Sequence, residues 1–518
     1  MTISHRIGLK PEQKIWLCPY SHLSEKLAEI LKKQDISIQG FLDQKKTGEN
    51  IRSYKDFNLK KDERIFIVSP NHALTIYQTL IHQGLPAKAL SLIDYVSSAE
   101  QPFRLRTELE WRFISSVKAG LLALYKRIHS CLKHHLACNN KALLISPGFV
   151  DLNIKDLYIE LDKTGSIKPC IATDNLEQIR RLKKFNINTV KLNSPLFLWR
   201  ALRAKIKVLD HNPVSSWHKL ALKDSISIQL WHGIPLKKIG HLSNYKQWHY
   251  DMVVSTSPFV TDYAFKPLFS AKRILECGYP RNDILTSTVV QPECQDKRLA
   301  LVNRPIYDWL IHGKRKFIVY MPTWRQPGSM QNPLNLDDLN RFAKNRDLIL
   351  IIKHHPFIRP GSFYSCLNED ADSERFHFRG EHSENVLFYP STDDIYPLLA
   401  HSQALITDYS SVYFDYLLVN KPLIFFCYDR MQYVSKHGDF MLDFNTYTPG
   451  EKPQNAEELM RAIDNTGKED RFRNAREKLY RQLFRNETHG KSGQILAGAI
   501  ASMTDKPRQE QETEALIQ

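Results

Sequence analysis

Acid is what this chain is short of. Its 72 lysines and arginines face 56 aspartates and glutamates, a formal net charge of +16. A surplus of that size implies an anionic partner: phosphorylated substrate, nucleic acid or anionic lipid. Long apolar runs are missing as well. No stretch of about 18 uncharged apolar residues occurs, so no segment reads as membrane-spanning. The opening residues, MTISHRIGLKPEQKIW, lack the apolar core of a secretory signal. Cysteines are few and scattered (Cys18, Cys131, Cys138, Cys170, Cys277, Cys294, Cys366, Cys427), with no C-x-x-C and no histidines at metal-ligand spacing. That argues against a disulfide scaffold or a zinc module and fits a reduced cytosol. No G-x-G-x-x-G, Walker phosphate loop, H-E-x-x-H or G-x-S-x-G falls at a fitting place, which disfavours P-loop hydrolysis, zinc proteolysis and serine-hydrolase chemistry.

What is present is a repeated alternation of apolar strands with helix-length segments. The 518 residues exceed what one core organises, and about three domains of ~100–200 residues are expected. Residues 1–100 read as a small α/β domain, with a strand at Ile15–Cys18, an amphipathic helix over Leu23–Leu31 and a strand at Ile65–Val68. Its phrases Gly40-Phe41-Leu42-Asp43 and Ser69-Pro70-Asn71-His72 resemble the small Rossmann-like domain at the start of some sugar acyltransferases. Residues 101–140 read as a basic amphipathic helical linker: Leu121, Leu124, Ile128, Leu132 and Leu136 form a stripe flanked by Lys118, Lys126, Arg127, Lys133, His134 and His135. Such a helix either lies on an anionic membrane surface or packs between domains with its basic face in water.

From residue 141 the α/β alternation resumes in two series, 141–310 and 311–505. The first has strands at Leu143–Ser146, Pro169–Ala172, Thr189–Leu192, Ala204–Leu209 and Ile226–Leu230; the second at Phe317–Tyr320, Leu348–Ile352, Val386–Tyr389, Ala404–Ile406 and Leu423–Phe426. This pattern predicts two parallel, doubly wound sheets, whose ligands bind beyond the carboxyl ends of the strands. The polar tail, 506–518, reads as disordered.

Polar clusters follow several of these strands directly. Ile226–Leu230 runs into Trp231-His232-Gly233-Ile234-Pro235-Leu236-Lys237-Lys238, Phe317–Tyr320 into Pro322-Thr323-Trp324-Arg325, and Leu348–Ile352 into Lys353-His354-His355-Pro356. The strand ending at Ile406 runs into Thr407–Ser411, a hydroxyl-rich turn before a short helix, where orphan N–H groups make an anion site. Between them lies the turn Gly278-Tyr279-Pro280-Arg281-Asn282-Asp283. Gly233 permits close backbone approach and Pro235 stiffens its loop. Lys237, Lys238, Arg281, Arg325 and Lys353, if they converge, neutralise a diphosphate without a metal. Asp415, four residues after Ser411, shares its helix face; a carboxylate beside a phosphate site needs a ligand hydroxyl or a basic neighbour.

Taken in order, WHGIPLKKIG (231–240), GYPRNDIL (278–285), YMPTWR (320–325), KHHP (353–356) and LITDYSSVYFDY (405–416) resemble the CDP-glycerol glycerophosphotransferase family, which includes teichoic-acid primases and polymerases. The resemblance covers about residues 141–500. It implies a GT-B pair of Rossmann-like domains behind the extra N-terminal α/β domain. It also implies transfer of glycerol phosphate, or a related polyol phosphate, from CDP-glycerol or CDP-ribitol to an acceptor hydroxyl in synthesis of a cell-surface polymer, with CMP leaving. No metal or cofactor is expected. By the same resemblance donor contacts fall on Trp231, His232, Gly233, Ile234, Pro235, Arg281, Thr323, Trp324, His354, His355, Pro356, Ser410, Ser411 and Asp415. His354 stands where other members commonly carry an apolar residue, so His355 is the better match.

A histidine suits proton abstraction from a hydroxyl near neutrality. His232 is therefore expected as the base, with His355, Arg281 and the Ser410/Ser411 turn stabilising diphosphate charge during transfer and Asp415 binding polyol hydroxyls. The expected partners are the CDP-polyol, a lipid-linked or glycan acceptor and an anionic membrane surface, with no nucleic acid; the expected place is cytoplasmic, peripheral on the cytoplasmic face of the membrane. The rival readings are a GT-B glycosyltransferase using a nucleotide sugar, and a non-catalytic basic protein binding nucleic acid or membrane. In the latter, basic charge would be spread over aromatic-bearing surfaces instead of concentrated at strand ends.

Overall fold

The computed structural model describes residues 14–505 except 33–35, 45–49, 55–56, 61, 70–71, 96–102, 137, 149–151, 212–221, 223, 238–247, 287–295, 326–329, 356–362, 365, 367–375, 379–383, 438 and 469. The tail 506–518, Lys238, His134 and His135 lie wholly or in their side chains outside the described residues, and Pro356 does too. The chain divides into two compact units, residues 1–131 and 132–518.

The first unit contains β1 (Lys14–Cys18), α1 (His22–Lys32), β2 (Ile38–Asp43), β3 (Ile51–Ser53), β4 (Glu63–Val68), α2 (Ala73–His82), β5 (Leu90–Tyr95), β6 (Phe103–Arg106) and the start of α3 (Glu108–Leu136). Its sheet runs β3-β2-β1-β4-β5-β6. All neighbours are parallel except β6, which pairs antiparallel with β5. Side chains alternate across the pleat: Trp16, Cys18, Ile65 and Ile67 enter one core cluster, Ile15, Leu17, Phe66 and Val68 the other. Burial on both faces is what a parallel sheet requires. Because β6 belongs to this sheet, the sheet extends past the expected boundary at residue 100, and the helix starts only at Glu108. Trp111 and Tyr125 bury one side of α3, while Leu109, Phe113, Val117 and Leu124 stand exposed on another. Leu124, of the stripe read from the sequence, is in this row at 55% exposure, while the side chains of Leu121, Ile128 and Leu132, and of Lys118 and Lys133 beside them, lie outside the described residues.

The second unit opens with β7 (Cys138–Ile145), α4 (Leu152–Thr164), β8 (Lys168–Thr173), α5 (Leu176–Lys184), β9 (Thr189–Lys191), α6 (Pro195–Arg203), β10 (Ala204–Leu209), β11 (Ile226–Gln229), β12 (Trp248–Ser255) and β13 (Phe269–Glu276). These strands form a parallel sheet ordered β13-β12-β11-β10-β7-β8-β9. Local signals start its helices: Asn175 accepts the Gln178 N–H ahead of α5, and Ser194 accepts the Phe197 N–H ahead of α6, which has proline at its first turn.

A second sheet follows, with α7 (Arg304–Ile311), β14 (Phe317–Tyr320), α8 (Leu336–Lys344), β15 (Ile349–Lys353), β16 (Val386–Tyr389), α9 (Tyr396–His401), β17 (Leu405–Thr407), α10 (Val412–Tyr416) and β18 (Leu423–Phe425). Its order is β16-β15-β14-β17-β18, again all parallel. The last helix, α11 (Ser492–Asp505), does not stay with this sheet. It packs on α4 and β7 of the preceding one, so the chain crosses back.

Each sheet of this unit starts in its middle, winds one way and then the other. The reversals fall between β7 and β10 and between β14 and β17. Such switch points open crevices at the carboxyl ends of the strands, and both carry polar clusters here. The two halves are tied by Lys155 Nζ, 2.7 Å from Asp394 Oδ2, by an Arg181–Asp393 ion pair and by Gln178 Nε2 donating to the Thr392 carbonyl at 3.3 Å.

Candidate active site

The loop after β11 is built around an unusual backbone. Trp231 adopts φ +58°, a left-handed conformation that costs a tryptophan about 1–3 kcal/mol. The loop is held by buried groups on both sides: Gln229 Oε1 accepts the Trp231 N–H at 2.9 Å, and Asn153 Nδ2 donates to the Trp231 carbonyl at 3.4 Å. Asn153, fully buried, also accepts the Arg281 N–H at 3.3 Å, so one side chain fixes two loops.

That conformation turns the Trp231 indole into the core and leaves His232 exposed. The His232 ring stacks on Trp231 at 4.2 Å between centroids and on His211 at 4.9 Å. Its Nδ1 lies 3.3 Å from the Asp210 carbonyl. A carbonyl only accepts, so Nδ1 carries the proton and Nε2 is the basic nitrogen.

Next to it, Gly233 has φ +131°, and a Cβ there would sit 2.7 Å from Arg281 Nη2 and 3.9 Å from Ser411 Oγ. Only glycine leaves room for the guanidinium. Arg281 Nη2 donates to the His232 carbonyl at 3.1 Å and to Asp415 Oδ2 at 2.7 Å. Loops of the first sheet (His232, Gly233, Arg281) and of the second (Ser411, Asp415) therefore meet at one point.

Asp415 is 1% exposed. Besides Arg281 it receives Asn282 Nδ2 at 2.9 Å and the Tyr396 hydroxyl at 2.6 Å. It faces Arg281 instead of open space. The turn before it differs from the expected helix end: α10 has only five residues and the Ser411 hydroxyl does not cap it, so Ser411 contributes a hydroxyl near Gly233 and no helix dipole of consequence.

The second switch point is a closed ion cluster. Arg325 donates to Asp408 at 2.8 Å and to Asp429 at 2.6 and 3.0 Å, and lies over the rings of Tyr409, Tyr428 and Tyr433. Asp408 also takes the Thr323 N–H at 2.9 Å and its hydroxyl, which fixes Thr323 at the end of β14. Arg325, expected among the convergent cations, thus has its charge answered internally. Trp324 beside it is half-buried.

Among the described residues the other cations of these strand-end loops are Lys237 and Lys353. Burial pulls Lys237 down to about 8; Asp408 opposes this and Arg325 adds to it. Burial likewise lowers Lys353 to about 8 against the pull of Asp394 and Asp393. Both remain mostly charged at neutral pH. His355 is open to solvent, yet crowding and then the charges of Lys353 and Lys237 push it down to about 4, which places those three groups in one electrostatic neighbourhood.

His354 points the other way. It is 6% exposed, sits among Phe363, Tyr364 and Phe388, and bonds the Tyr364 hydroxyl through Nε2 at 3.0 Å. The expectation that it contacts the donor is corrected: its ring is core. Ile234 and Pro235 are likewise buried and shape the loop; the Pro235 carbonyl accepts the Tyr263 hydroxyl at 3.0 Å. Reasoning from the sequence missed Asn153, Tyr396, Asp408 and the pair Asp210-His211. The last two follow the correctly read strand Ala204–Leu209 and satisfy the strand-end rule. Among the described residues no group of three or more His, Cys, Asp or Glu could hold a metal ion.

Two parallel doubly wound sheets whose strand-end loops bring a histidine, an arginine and a serine hydroxyl to one point define a GT-B-like transferase for a phosphate-bearing donor. The chain belongs to the CDP-Glycerol:Poly(glycerophosphate) glycerophosphotransferase family, which matches residues 132–502. It is an enzyme that transfers a polyol phosphate from a CDP-activated donor, releasing CMP. It is 31% identical over 301 residues to the teichoic acid glycerol-phosphate transferase of Staphylococcus aureus, covering 53% of this chain and 70% of the relative. It is 28% identical over 373 residues to the teichoic acid ribitol-phosphate primase of Bacillus spizizenii, covering 68% and 87%. Among solved structures the wall teichoic acid polymerase TagF shares the fold, with a TM-score of 0.56 at 21% identity over 77% of this chain and 98% of that one.

Proposed function

We propose that the chain transfers glycerol phosphate from CDP-glycerol to a hydroxyl of a lipid-linked acceptor in synthesis of a cell-surface polymer, and that His232 is the base. The acceptor oxygen attacks the phosphorus that carries glycerol, the bond from that phosphorus to the bridging oxygen breaks, and CMP leaves with that oxygen. The hydroxyl proton goes to His232 Nε2 and then to solvent. Arg281, the Ser410/Ser411 turn, Lys237, Lys353 and His355 take up charge on the diphosphate as the transfer proceeds, and Thr323, both of whose donors go to Asp408, shapes the end of β14. Asp415 is assigned a different task from polyol recognition: with Asn282 and Tyr396 it orients Arg281. The observation that carries the reading is the approach of Arg281 to Gly233 beside His232, with Ser411 at the same point.

Replacing His232 by Ala should abolish CMP release from CDP-glycerol while donor binding by calorimetry stays near the parent value. A normal maximal rate with lost binding sinks the assignment. Running CDP-ribitol alongside decides the donor: faster CMP release from it overturns the choice of glycerol.

The place of the enzyme is read from α3. Leu109 and Phe113, 78% and 69% exposed, line up with Val117 and Leu124 at helical spacing, and Arg112, Lys126 and Arg127 are also exposed on this helix. Apolar side chains in water beside cations match an anionic membrane surface, and no helix among the described residues is long and apolar enough to cross one. The protein should sediment with phosphatidylglycerol vesicles and not with phosphatidylcholine vesicles. Replacing the four apolar residues by Ser should release it; unchanged sedimentation counts against this face.

A further inference from the structure

We infer that Asp210 and His211, which lie outside all five motifs, form a positioning device for the His232 ring; the inference rests on the assignment of His232 as the base. The two residues occupy the end of β10, at the switch point of the first sheet of the second unit. Asp210 is fully buried and works twice. Its carbonyl takes the Nδ1 proton of His232 at 3.3 Å. Its carboxylate holds His211 Nδ1 at 2.8 Å and accepts the Ser146 hydroxyl. The His211 ring, anchored in this way, stacks on His232 at 4.9 Å with 20° between the planes.

The bond to the Asp210 carbonyl sets the tautomer of the base, and two stacked rings, Trp231 and His211, set its plane. Ser146, Asp210 and His211 are not a nucleophilic triad: the Ser146 hydroxyl is fully buried and donates to the Asp210 carboxylate instead of to an imidazole. A solvent-side histidine with a single rotatable loop neighbour would sample many orientations. A general base must present its lone pair to the acceptor hydroxyl within hydrogen-bond reach. Holding the ring therefore acts on the transfer step and not on donor affinity.

The test separates ring, bond and base. H211A should lower kcat about 10- to 100-fold, the loss expected of a small misplacement, with the calorimetric Kd for CDP-glycerol and the melting temperature near the parent values. H211F, which restores a ring for stacking, should recover most of kcat. H211N keeps a donor for Asp210 without a ring and guards against a folding defect from an unpaired buried carboxylate; it should stay as slow as H211A. Recovery by H211N instead of H211F overturns the stacking role, as does parent-like kcat in H211A. H232A is run alongside: turnover in H232A brings down the base assignment itself, whereas an inactive H232A with a fully active H211A brings down only the positioning role.

Discussion

Arg281 and Arg325 each stand on a loop beyond a strand end of the second unit, after the edge strand β13 and the central strand β14, and each is 8% exposed. Their surroundings differ. Arg325 faces two carboxylates, Asp408 and Asp429, and three tyrosine rings. Arg281 faces one carboxylate, Asp415, already shared with Asn282 and Tyr396, and its outer nitrogen reaches the His232 carbonyl. A cation held by one carboxylate can serve a ligand anion as well; one clamped between two carboxylates is part of the scaffold. The rule sorts residues that look alike in sequence.

The comparison breaks first on stability. Arg325→Met leaves Asp408 and Asp429, both almost wholly buried, without their partner, and breaking a buried pair in this way typically costs about 3–5 kcal/mol. Urea unfolding should show that loss. A variant as stable as the parent would mean that the cluster is solvated in solution and Arg325 is available to ligand after all.

Arg281→Lys sharpens the other side. Lysine keeps a charge for Asp415 but lacks the fork that serves Asp415 and the cleft together. The expectation is a fall in kcat of about 100-fold, equal to about 2.7 kcal/mol at 1.36 kcal/mol per decade, with a melting temperature close to the parent. Equal activity would place the diphosphate elsewhere; a large drop in melting temperature would make Arg281 a second scaffold residue.

The same contrast explains what the sequence made legible. Strand ends were readable because apolar runs stop abruptly at polar clusters, and that alternation yields β7 to β11 of the first sheet of the second unit and all five strands of the other, whereas β12 and β13 went unread. The motif order pointed to the loops that meet at Gly233. What could not be read was which side chain on a loop turns inward. His354 and His355 are adjacent and chemically identical, yet just past the end of β15 one turns into Phe363, Tyr364 and Phe388 and the other into solvent. Asp415 shares Ser411's helix only over five residues, too short a span for the face rule to hold. Tyr396 and Asn153 are distant in sequence from the groups they bind, by 19 and 128 residues, and carry no local signal. β6 was hidden because its partner β5 is separated from it by residues of no clear period.

The smallest expected effect tests the buried histidine itself. Burial first, and the charge of Lys353 second, push His354 down to about 3, whereas an unfolded histidine titrates near 6.5. Between those values the unfolded chain binds a proton that the folded one does not, so stability rises with pH across the window and falls as pH drops from about 6.5 toward 3. Below the lower value both forms are protonated and the contribution stops changing. His354→Gln keeps a polar partner for the Tyr364 hydroxyl and has nothing to titrate. Between pH 7 and 5 the parent should therefore lose about 1–2 kcal/mol more than this variant, read from urea midpoints at the two pH values. His355 titrates in both proteins and cancels in the difference. Parallel pH profiles would show that His354 meets water in solution, which would reopen its place in the donor cleft and remove the contrast with His355.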